Sequence, residues 1–273
     1  MGGQVRLRAP LGRLFEDGAV GMAELRVAII SGGGAGIGAA AARALARAGY
    51  KVAIMSPSGR GEELAKELGG ISVKGSNLEN RDVEALVRAA VEKWGRIDTV
   101  VISMGHAKVP NGATWPLEKI GFDPDNPVSL LDIDDADWVT GFNINVLSVI
   151  RAARAATPVM LKQGGGSFVN ISSIVAIEPQ MNFPLSALRA ALHGFTKLFA
   201  DRYAKHNIRM NDVLPGFLDN TTLTAAAMRE IPMQRLGRMD EAGETVLFLA
   251  SDRSSYITGQ SILLDGGLHR MLR

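Results

Sequence analysis

The chain has 273 residues, enough for one large α/β domain or two small ones, and its 47% hydrophobic and 21% charged residues suit a folded domain with a sizeable core. A net charge of +2 gives no basic stripe for nucleic acid or an anionic membrane, and the absence of cysteine excludes disulfides and thiolate metal sites. No apolar run in the sequence approaches the ~18 residues of a membrane span. We therefore expect a cytoplasmic protein that acts on a small molecule, with no metal, nucleic acid or membrane as partner.

The first 21 residues differ in composition from the rest of the chain. They mix glycine, arginine and leucine without a strand or helix period, and Met22 then opens a sequence typical of a domain start. Arginine enrichment could indicate a transit peptide, but Glu16 and Asp17 argue against one. We expect residues 1–21 to be a poorly ordered extension and residues 22–273 to form one domain.

Short apolar runs alternate with segments of helical period along that domain. The predicted strands are 26–31, 51–56, 71–78, 98–103, 165–173, 208–216 and 259–267, and the predicted helices are 38–50, 60–68, 80–95, 135–161, 184–207 and 240–252. Continuous apolar strands are typical of a parallel sheet covered on both faces. The sequence therefore predicts an α/β fold with a single Rossmann-type, doubly wound parallel sheet of about seven strands and helices on both faces.

A glycine-rich turn joins the first predicted strand to the first predicted helix. It contains Ser31, Gly32, Gly36, Ile37 and Gly38. Glycines allow a tight turn and let the backbone approach a pyrophosphate, and the helix end then offers unpaired N–H groups and a favourable dipole. Because the pattern occurs at the first strand–helix junction, it predicts a dinucleotide site.

The end of the second predicted strand indicates which dinucleotide binds. An Asp or Glu about 20 residues beyond the turn would bind the ribose 2′-hydroxyl of NAD. The chain has Met55-Ser56-Pro57-Ser58-Gly59-Arg60 there instead, with no carboxylate to repel a 2′-phosphate. We therefore favour NADP(H) over NAD(H), held by Ser56, Ser58 and Arg60. The alternative is that Arg60 only begins a solvated helix.

From residue 22 to about 268 the chain resembles the short-chain dehydrogenase/reductase family. Besides the glycine turn with its Ser31, the matching positions are Asn77, Asp98, Gly105, Asn145, Ser173, Pro215, Gly216 and the terminal "YITGQSILLDGG". The resemblance implies that Asn77 meets the adenine and that Pro215 and Gly216 flank the nicotinamide. It also implies that Ser173 binds the substrate oxygen and that Asn145 anchors a water. Members of the family transfer hydride between a nicotinamide and a carbonyl or alcohol, and the resemblance further implies a homo-tetramer or homo-dimer.

The chain departs from the family at its acid/base pair. The segment at 189–196, "RAALHGFT", aligns with the family's Lys-Ala-Ala-Leu-x-Gly-Phe-Thr, which puts Arg189 at the lysine position and Leu185 at the tyrosine position. Leucine has no proton to give. Arg189 keeps a permanent charge and five donors, so it can still hold ribose hydroxyls. The resemblance thus includes the cofactor site but lacks the family's proton donor.

Several groups are candidates for a substitute donor. His106 follows Gly105 where the fourth strand should open into the pocket, and a histidine titrates near neutrality. A water oriented by Ser173 is the second candidate, and Ser186 and Asn182 are weaker ones. We interpret Glu178 as the end of a solvent-exposed loop, His193 as a packing residue, and the three tyrosines (Tyr50, Tyr203 and Tyr256) as structural. The family's 2,4-dienoyl-CoA reductases also lack tyrosine at this position, but the tyrosine that they supply after the fifth strand is missing here.

An insertion at about 106–137 is the second departure from the family. It contains four prolines, Trp115 and Phe122 before the next helix. Such a loop could cover a substrate or a partner subunit, or it could be a plain surface insertion. The acidic residues at the end of this segment, just before the next helix, suit helix capping.

Three functions remain open from the sequence. The first is an atypical NADP(H)-dependent oxidoreductase that transfers hydride to a carbonyl or conjugated alkene. Its proposed catalytic residues are Ser173, Asn145, Arg189 and His106, and it needs a proton donor other than tyrosine. The second is a nucleotide-binding protein without turnover, acting as a sensor or partner subunit. The third is a non-redox catalyst that reuses the pocket. The intact glycine turn favours the first two over the third.

Overall fold

The computed structural model describes residues 25–103, 130–179 and 185–270. The predictions on the extension at 1–21, on Gly105, His106 and Asn182, and on most of the insertion lie outside these residues. The strands are β1 (Val27–Ser31), β2 (Lys51–Ser56), β3 (Ile71–Lys74), β4 (Thr99–Ser103), β5 (Gly166–Ile171), β6 (Ile208–Pro215) and β7 (Ser261–Leu264). The helices are α1 (Gly36–Arg47), α2 (Arg60–Glu67), α3 (Asn80–Trp94), α4 (Asp135–Phe142), α5 (Ser148–Gln163), α6 (Leu185–Tyr203), α7 (Ala225–Glu230) and α8 (Met239–Ala250).

The seven strands form one sheet in the order β3-β2-β1-β4-β5-β6-β7, and every neighbouring pair is parallel. The order reverses direction between β1 and β4. In open sheets of this kind, ligands bind outside the carboxyl ends of the strands at such a reversal. The predicted fold class is therefore confirmed, and the topology places a binding crevice beside the ends of β1 and β4.

Two apolar layers cover the two faces of the sheet. Val27 and Ile29 point into one layer, with side chains from α3, α5 and α6, while Ala28 and Ile30 point into the other, with side chains from α1 and α8. All four residues are 0–1% exposed. Because successive side chains of a strand alternate between faces, such continuous burial requires cover on both sides.

The long helix predicted at 135–161 is divided in the structure. A π-helical turn at Asn143–Leu147 separates α4 from α5. The side chains of Asn145 and Ser148 each donate to the carbonyl four residues earlier, at 2.8 and 2.6 Å. Such back-bonding and π turns interrupt the regular helical ladder. The acidic residues before α4 do cap it, since Asp134 accepts a hydrogen bond from the Asp137 amide at 2.8 Å.

The helical stretch Asp135–Gln163 is long and apolar enough to cross a membrane by length and composition alone, with a mean hydropathy of 1.3 over 18 residues. Of that window, 56% is buried inside the fold. A core helix of a folded domain passes the same test, and α5 packs against α3 and the sheet as such a helix does.

Candidate functional site at the carboxyl edge of the sheet

The glycine turn after β1 has a backbone that only glycine fits. Gly32 has φ +73°, and a Cβ there would lie 2.0 Å from the carbonyl oxygen of Ser103 at the end of β4. A Cβ on Gly38 would lie 2.4 Å from the Gly32 carbonyl oxygen. The turn is therefore pressed between the reversal point of the sheet and the first turn of α1.

The opposite side of this turn is open. Gly36 has φ +53°, and a Cβ there would meet no atom within 4 Å. No side chain caps α1 at Ala35, and its first turn contains no acidic residue. The buried hydroxyl of Ser31 also has no hydrogen-bond partner among the residues that the structure describes. Unpaired N–H groups, the positive end of a helix dipole and an unpartnered hydroxyl suit the oxygens of a pyrophosphate, so the residues present fit a dinucleotide.

The end of β2 lies directly beside the turn. A Cβ on Gly34 would lie 2.5 Å from the Ser56 hydroxyl, and that hydroxyl accepts a hydrogen bond from the Ser58 amide at 3.3 Å. Arg60 is exposed and begins α2. The acidic residues in the first turn of α2, Glu62 and Glu63, are exposed as well. The Ser56 and Ser58 hydroxyls therefore lie 3.3 Å apart beside the glycine turn, and Arg60 follows them at the exposed start of α2.

Three more of the predicted cofactor residues follow strand ends on the same edge. Asn77 is half-buried in the turn after β3, Pro215 is the last residue of β6, and Gly216 donates its amide to the Leu264 carbonyl at 3.0 Å. Ile37 is half-buried in the first turn of α1. The described cofactor candidates therefore share one edge of the sheet, as a doubly wound fold requires.

Ser173 and Asn145 occupy the positions predicted for catalysis. Ser173 follows β5 and accepts only a long contact of 3.5 Å, from the Val175 amide. Asn145 is fully buried in the π turn, which packs against α6, and its side-chain oxygen has no partner within the described ranges. A hydroxyl with one weak contact and an unpartnered amide oxygen both remain available to a ligand or an ordered water.

At the position of the family tyrosine, a leucine makes an apolar contact. Leu185 is 6% exposed and packs with Leu188 and half-buried Trp138. The side chain therefore stabilises the start of α6 against α4 and offers no group that can transfer a proton.

Arg189 is held inside the protein. Its side chain donates from Nη1 to the Ile171 carbonyl at 2.7 Å, and its buried Nε has no partner in the part of the chain that the structure describes. This hydrogen bond brings Arg189 to the end of β5, two residues before Ser173. Burial lowers the pKa of Arg189 to about 10, against the opposing effect of the Asp212 charge. Arg189 is thus a desolvated cation at the predicted catalytic edge.

Asp212 was not selected from the sequence, and it forms the centre of a buried polar cluster under α6. One carboxylate oxygen accepts hydrogen bonds from Asn170 at 2.9 Å and from Thr196 at 2.8 Å, while the other lies 3.8 Å from His193 Nε2. Burial raises the pKa of Asp212 to about 7, and the two hydrogen bonds and the Arg189 charge oppose that rise. A charged residue inside the predicted strand 208–216 was the signal that could have identified it.

His193 differs from its interpretation as a packing residue. Its Nε2 lies 3.0 Å from the Ser172 hydroxyl as well as near Asp212. Of the tyrosines, Tyr50 is buried and accepts from Arg26, Tyr203 packs on Phe199 at 4.5 Å, and Tyr256 is fully exposed. Within residues 25–103, 130–179 and 185–270, no three His, Cys, Asp or Glu side chains are grouped to hold a metal ion.

Comparison with protein families gives a match over residues 32–269 to the family described as enoyl-(acyl carrier protein) reductase. The chain is 34% identical over 262 residues to the 3-oxoacyl-(acyl-carrier-protein) reductase FabG of Thermotoga maritima, covering 90% of this chain and 98% of the relative. It is 32% identical over 266 residues to the oxidoreductase UcpA of Salmonella typhimurium, covering 89% and 94% of the two chains. Among solved structures, the TT0495 protein of Thermus thermophilus superposes with a TM-score of 0.75 at 28% identity, covering 89% of this chain and 98% of that one.

Proposed function

Because this chain belongs to the short-chain dehydrogenase/reductase family of oxidoreductases, we propose that it is an atypical, NADP(H)-dependent member. It would transfer hydride to a carbonyl or a conjugated alkene and use a proton donor other than tyrosine. One relative is named a 3-oxoacyl reductase and the matching family is described as an enoyl reductase, which favours an acyl thioester as the substrate.

The observation that carries this proposal is the open, uncapped start of α1. The positive φ of Gly36, the empty space beside it and the unpartnered Ser31 hydroxyl together provide a cradle for a pyrophosphate. When bound, a reduced nicotinamide supplies the hydride. Ser31, Gly32, Gly36, Ile37 and Gly38 would hold the phosphates.

The remaining residues would act on the ribose, the adenine and the substrate. Ser56 and Arg60 would hold a 2′-phosphate, which favours NADP(H) over NAD(H) because no carboxylate ends β2. Asn77 would meet the adenine, and Gly105, Pro215 and Gly216 would border the rest of the cofactor.

Ser173 would hydrogen-bond the substrate oxygen, and Arg189 would place positive charge beside it at the end of β5. Asn145 would anchor a water through its unpartnered oxygen. Among the groups considered from the sequence, the candidate sources of the proton are His106 and a water oriented by Ser173. A cytoplasmic location and a homo-tetramer or homo-dimer remain predictions for this chain.

A second candidate function is nucleotide binding without turnover. The observation that favours it is the apolar contact of Leu185 with Leu188 and Trp138, which puts hydrocarbon where the family places its acid. A sensor or partner subunit needs the cradle at α1 but no proton donor.

Fluorescence titration of the purified chain with NADPH and with NADH separates these functions. We expect NADPH to bind at micromolar concentration and NADH at least about tenfold more weakly, because Arg60 pairs only with the extra phosphate. The variant Gly36→Asp puts a carboxylate into the cradle and should abolish binding of both.

Turnover is then tested with ketones, conjugated enones and the thioesters acetoacetyl-CoA and crotonyl-CoA. NADPH oxidation with any of them supports the oxidoreductase, whereas tight binding without oxidation supports the second function. The double variant Leu185→Tyr, Arg189→Lys should raise ketone reduction, because it restores the family's pair at the same positions. An unchanged rate with every ketone would count against that arrangement of the pocket.

A further inference from the structure

A buried histidine pairs with a carboxylate outside the family motifs. His269 Nδ1 lies 2.7 Å from a carboxylate oxygen of Glu178, and the two residues are 91 positions apart in the chain. The His269 side chain is 5% exposed and that of Glu178 is 31% exposed. Glu178 is therefore not the solvent-exposed loop end that the sequence suggested.

Glu178 belongs to the segment that leaves β5 through Ser173. It lies five residues after Ser173, and its amide donates to the Ile174 carbonyl at 3.1 Å. That hydrogen bond closes the short 3₁₀ turn at Ile174–Ala176 and fixes the backbone from which the carboxylate extends. The Glu178 carboxylate therefore extends from the short segment that directly follows the proposed substrate-binding serine.

His269 belongs to the segment that leaves β7. Its amide donates to an Asp265 carboxylate oxygen at 2.8 Å, directly after the strand ends at Leu264. Asp265 in turn packs on Gly216, since a Cβ on that glycine would lie 2.9 Å from the Asp265 Cβ. Because β5, β6 and β7 are parallel neighbours, the pair spans the edge of the sheet that carries Ser173 and the Gly216 backbone.

The second ring nitrogen of His269 has no partner among the described residues. Nε2 is buried and makes no hydrogen bond. A carboxylate that pairs with Nδ1 orients the ring and leaves Nε2 as the nitrogen that can handle a proton at a ligand. A buried polar atom without a partner, on the binding edge of the sheet, indicates a group that meets a ligand.

The other side chains at this edge are less suited to give a proton. Leu185 has none, and Arg189 holds its proton and already donates to the Ile171 carbonyl. The half-buried His193 has its Nε2 beside Ser172 and Asp212.

We propose that His269 is the proton donor of this chain in place of the missing tyrosine, with Glu178 as its positioning residue. This inference rests on the oxidoreductase function proposed above. A bound reduced nicotinamide would supply the hydride to the ketone carbon of a 3-oxoacyl thioester, and the π electrons of that C=O bond would move to oxygen. The oxygen would take the proton from Nε2 of the protonated His269 ring and become a hydroxyl, and the ring would be left neutral, with Nδ1–H still donating to Glu178. Solvent restores the lost proton.

The pH dependence of reduction follows from that step. The rate should fall as pH rises and the imidazolium loses its proton. The charged groups next to His269 are Glu178 at its ring, Asp265 at its backbone amide and the neighbouring Arg270, whose guanidinium donates to the Glu230 carbonyl.

The test uses the full chain, NADPH and the probes acetoacetyl-CoA and crotonyl-CoA. His269→Gln should keep the Kd for NADPH within about twofold of wild type and lower kcat by about 100-fold or more, because general acids contribute about 10²–10⁴-fold. Glu178→Gln should lower kcat less and shift its decline to lower pH, and Glu178→Asp should restore part of the loss. His206→Gln, on the exposed turn after α6, is the matched control and should change neither quantity.

A second readout does not depend on turnover. The chain has four histidines, so the His269 ring signal in ¹³C-histidine-labelled protein can be assigned by its loss in His269→Gln. Saturation of the NADP⁺ complex with acetoacetyl-CoA should shift that signal and leave the His206 signal in place.

If His269→Gln keeps a kcat within about threefold of wild type and the same pH profile, His269 is not the donor, while the oxidoreductase function stands. An unmoved His269 signal in the saturated complex would show the same. Absence of NADPH binding, or binding without turnover of any of the ketones, enones and thioesters, would overturn the oxidoreductase and the donor together.

Discussion

The ionisation of Asp212 should make the stability of this protein depend on pH. Burial raises the pKa of this carboxyl from 3.8 to about 7 in the folded chain. Between those values the folded state keeps a proton that the unfolded chain releases. The free energy of unfolding is therefore highest below pH 4 as far as this group is concerned, and it falls as pH rises to about 7.

The magnitude follows from the size of the change in pKa. At about 1.4 kcal/mol for each tenfold change in proton affinity, a rise from 3.8 to about 7 corresponds to about 4 kcal/mol in all. The part between pH 5 and pH 7.5 is about 3 kcal/mol. Asp212→Asn removes the ionisation and keeps an oxygen to accept from Asn170 and Thr196. The difference in stability between wild type and Asp212→Asn should thus shift by about 3 kcal/mol in favour of the variant over that interval.

Urea unfolding followed by circular dichroism at pH 5, 6, 7 and 7.5, at one protein concentration, measures this difference. Asp201→Asn is the matched control, because Asp201 is an exposed carboxylate on α6, the helix that covers Asp212, and is paired with Lys197. Its unfolding curves should run parallel to those of wild type. The linkage would be refuted if the difference in free energy of unfolding between wild type and Asp212→Asn stays constant within about 0.5 kcal/mol across the interval.

Three further substitutions test the glycine turn, the start of β4 and the nucleotide preference. Gly32→Ala should prevent NADPH binding and lower stability by more than about 2 kcal/mol in thermal unfolding, because its Cβ would lie 2.0 Å from the Ser103 carbonyl oxygen. Asp98→Asn should lower the free energy of unfolding in urea by about 1.5–3 kcal/mol, because the carboxylate accepts from the Val27 amide at 2.8 Å. Arg60→Ala should raise the Kd for NADPH by about tenfold and leave that for NADH unchanged in fluorescence titration.

Two of these substitutions have a matched comparison. Gly95 has φ +76° but open space around its Cβ, so Gly95→Ala carries the backbone strain without the clash and should leave NADPH binding intact. Equal losses of binding in the two glycine variants would contradict the argument from the clash. Arg81→Ala removes another exposed arginine, on α3, and an equal loss of NADPH affinity there would show a general effect of charge. An Asp98→Asn protein as stable as wild type would show that the amide of β1 does not need the carboxylate.

Local sequence patterns were sufficient to predict the sheet and the position of the glycine turn. Each strand is a short apolar run, and the glycines of the turn are needed wherever the backbone passes this close to Ser103. The missing acid/base pair was also visible in the sequence, because Leu185 and Arg189 stand at a fixed spacing within a recognisable helix. These features depend on residues near one another in the chain, where period and spacing carry the information.

The remaining features depend on contacts between distant segments, and only the tertiary structure determined them. Asp212 resembles any polar residue in a strand until Asn170 and Thr196 are placed around it, and Arg189 resembles a solvated cation until it is buried against β5. The pair of Glu178 with His269 joins segments 91 residues apart. Hydrophobic period is local and says nothing of which polar groups meet across the sheet edge, so the buried electrostatics of this site follow from the packing of the strands and helices.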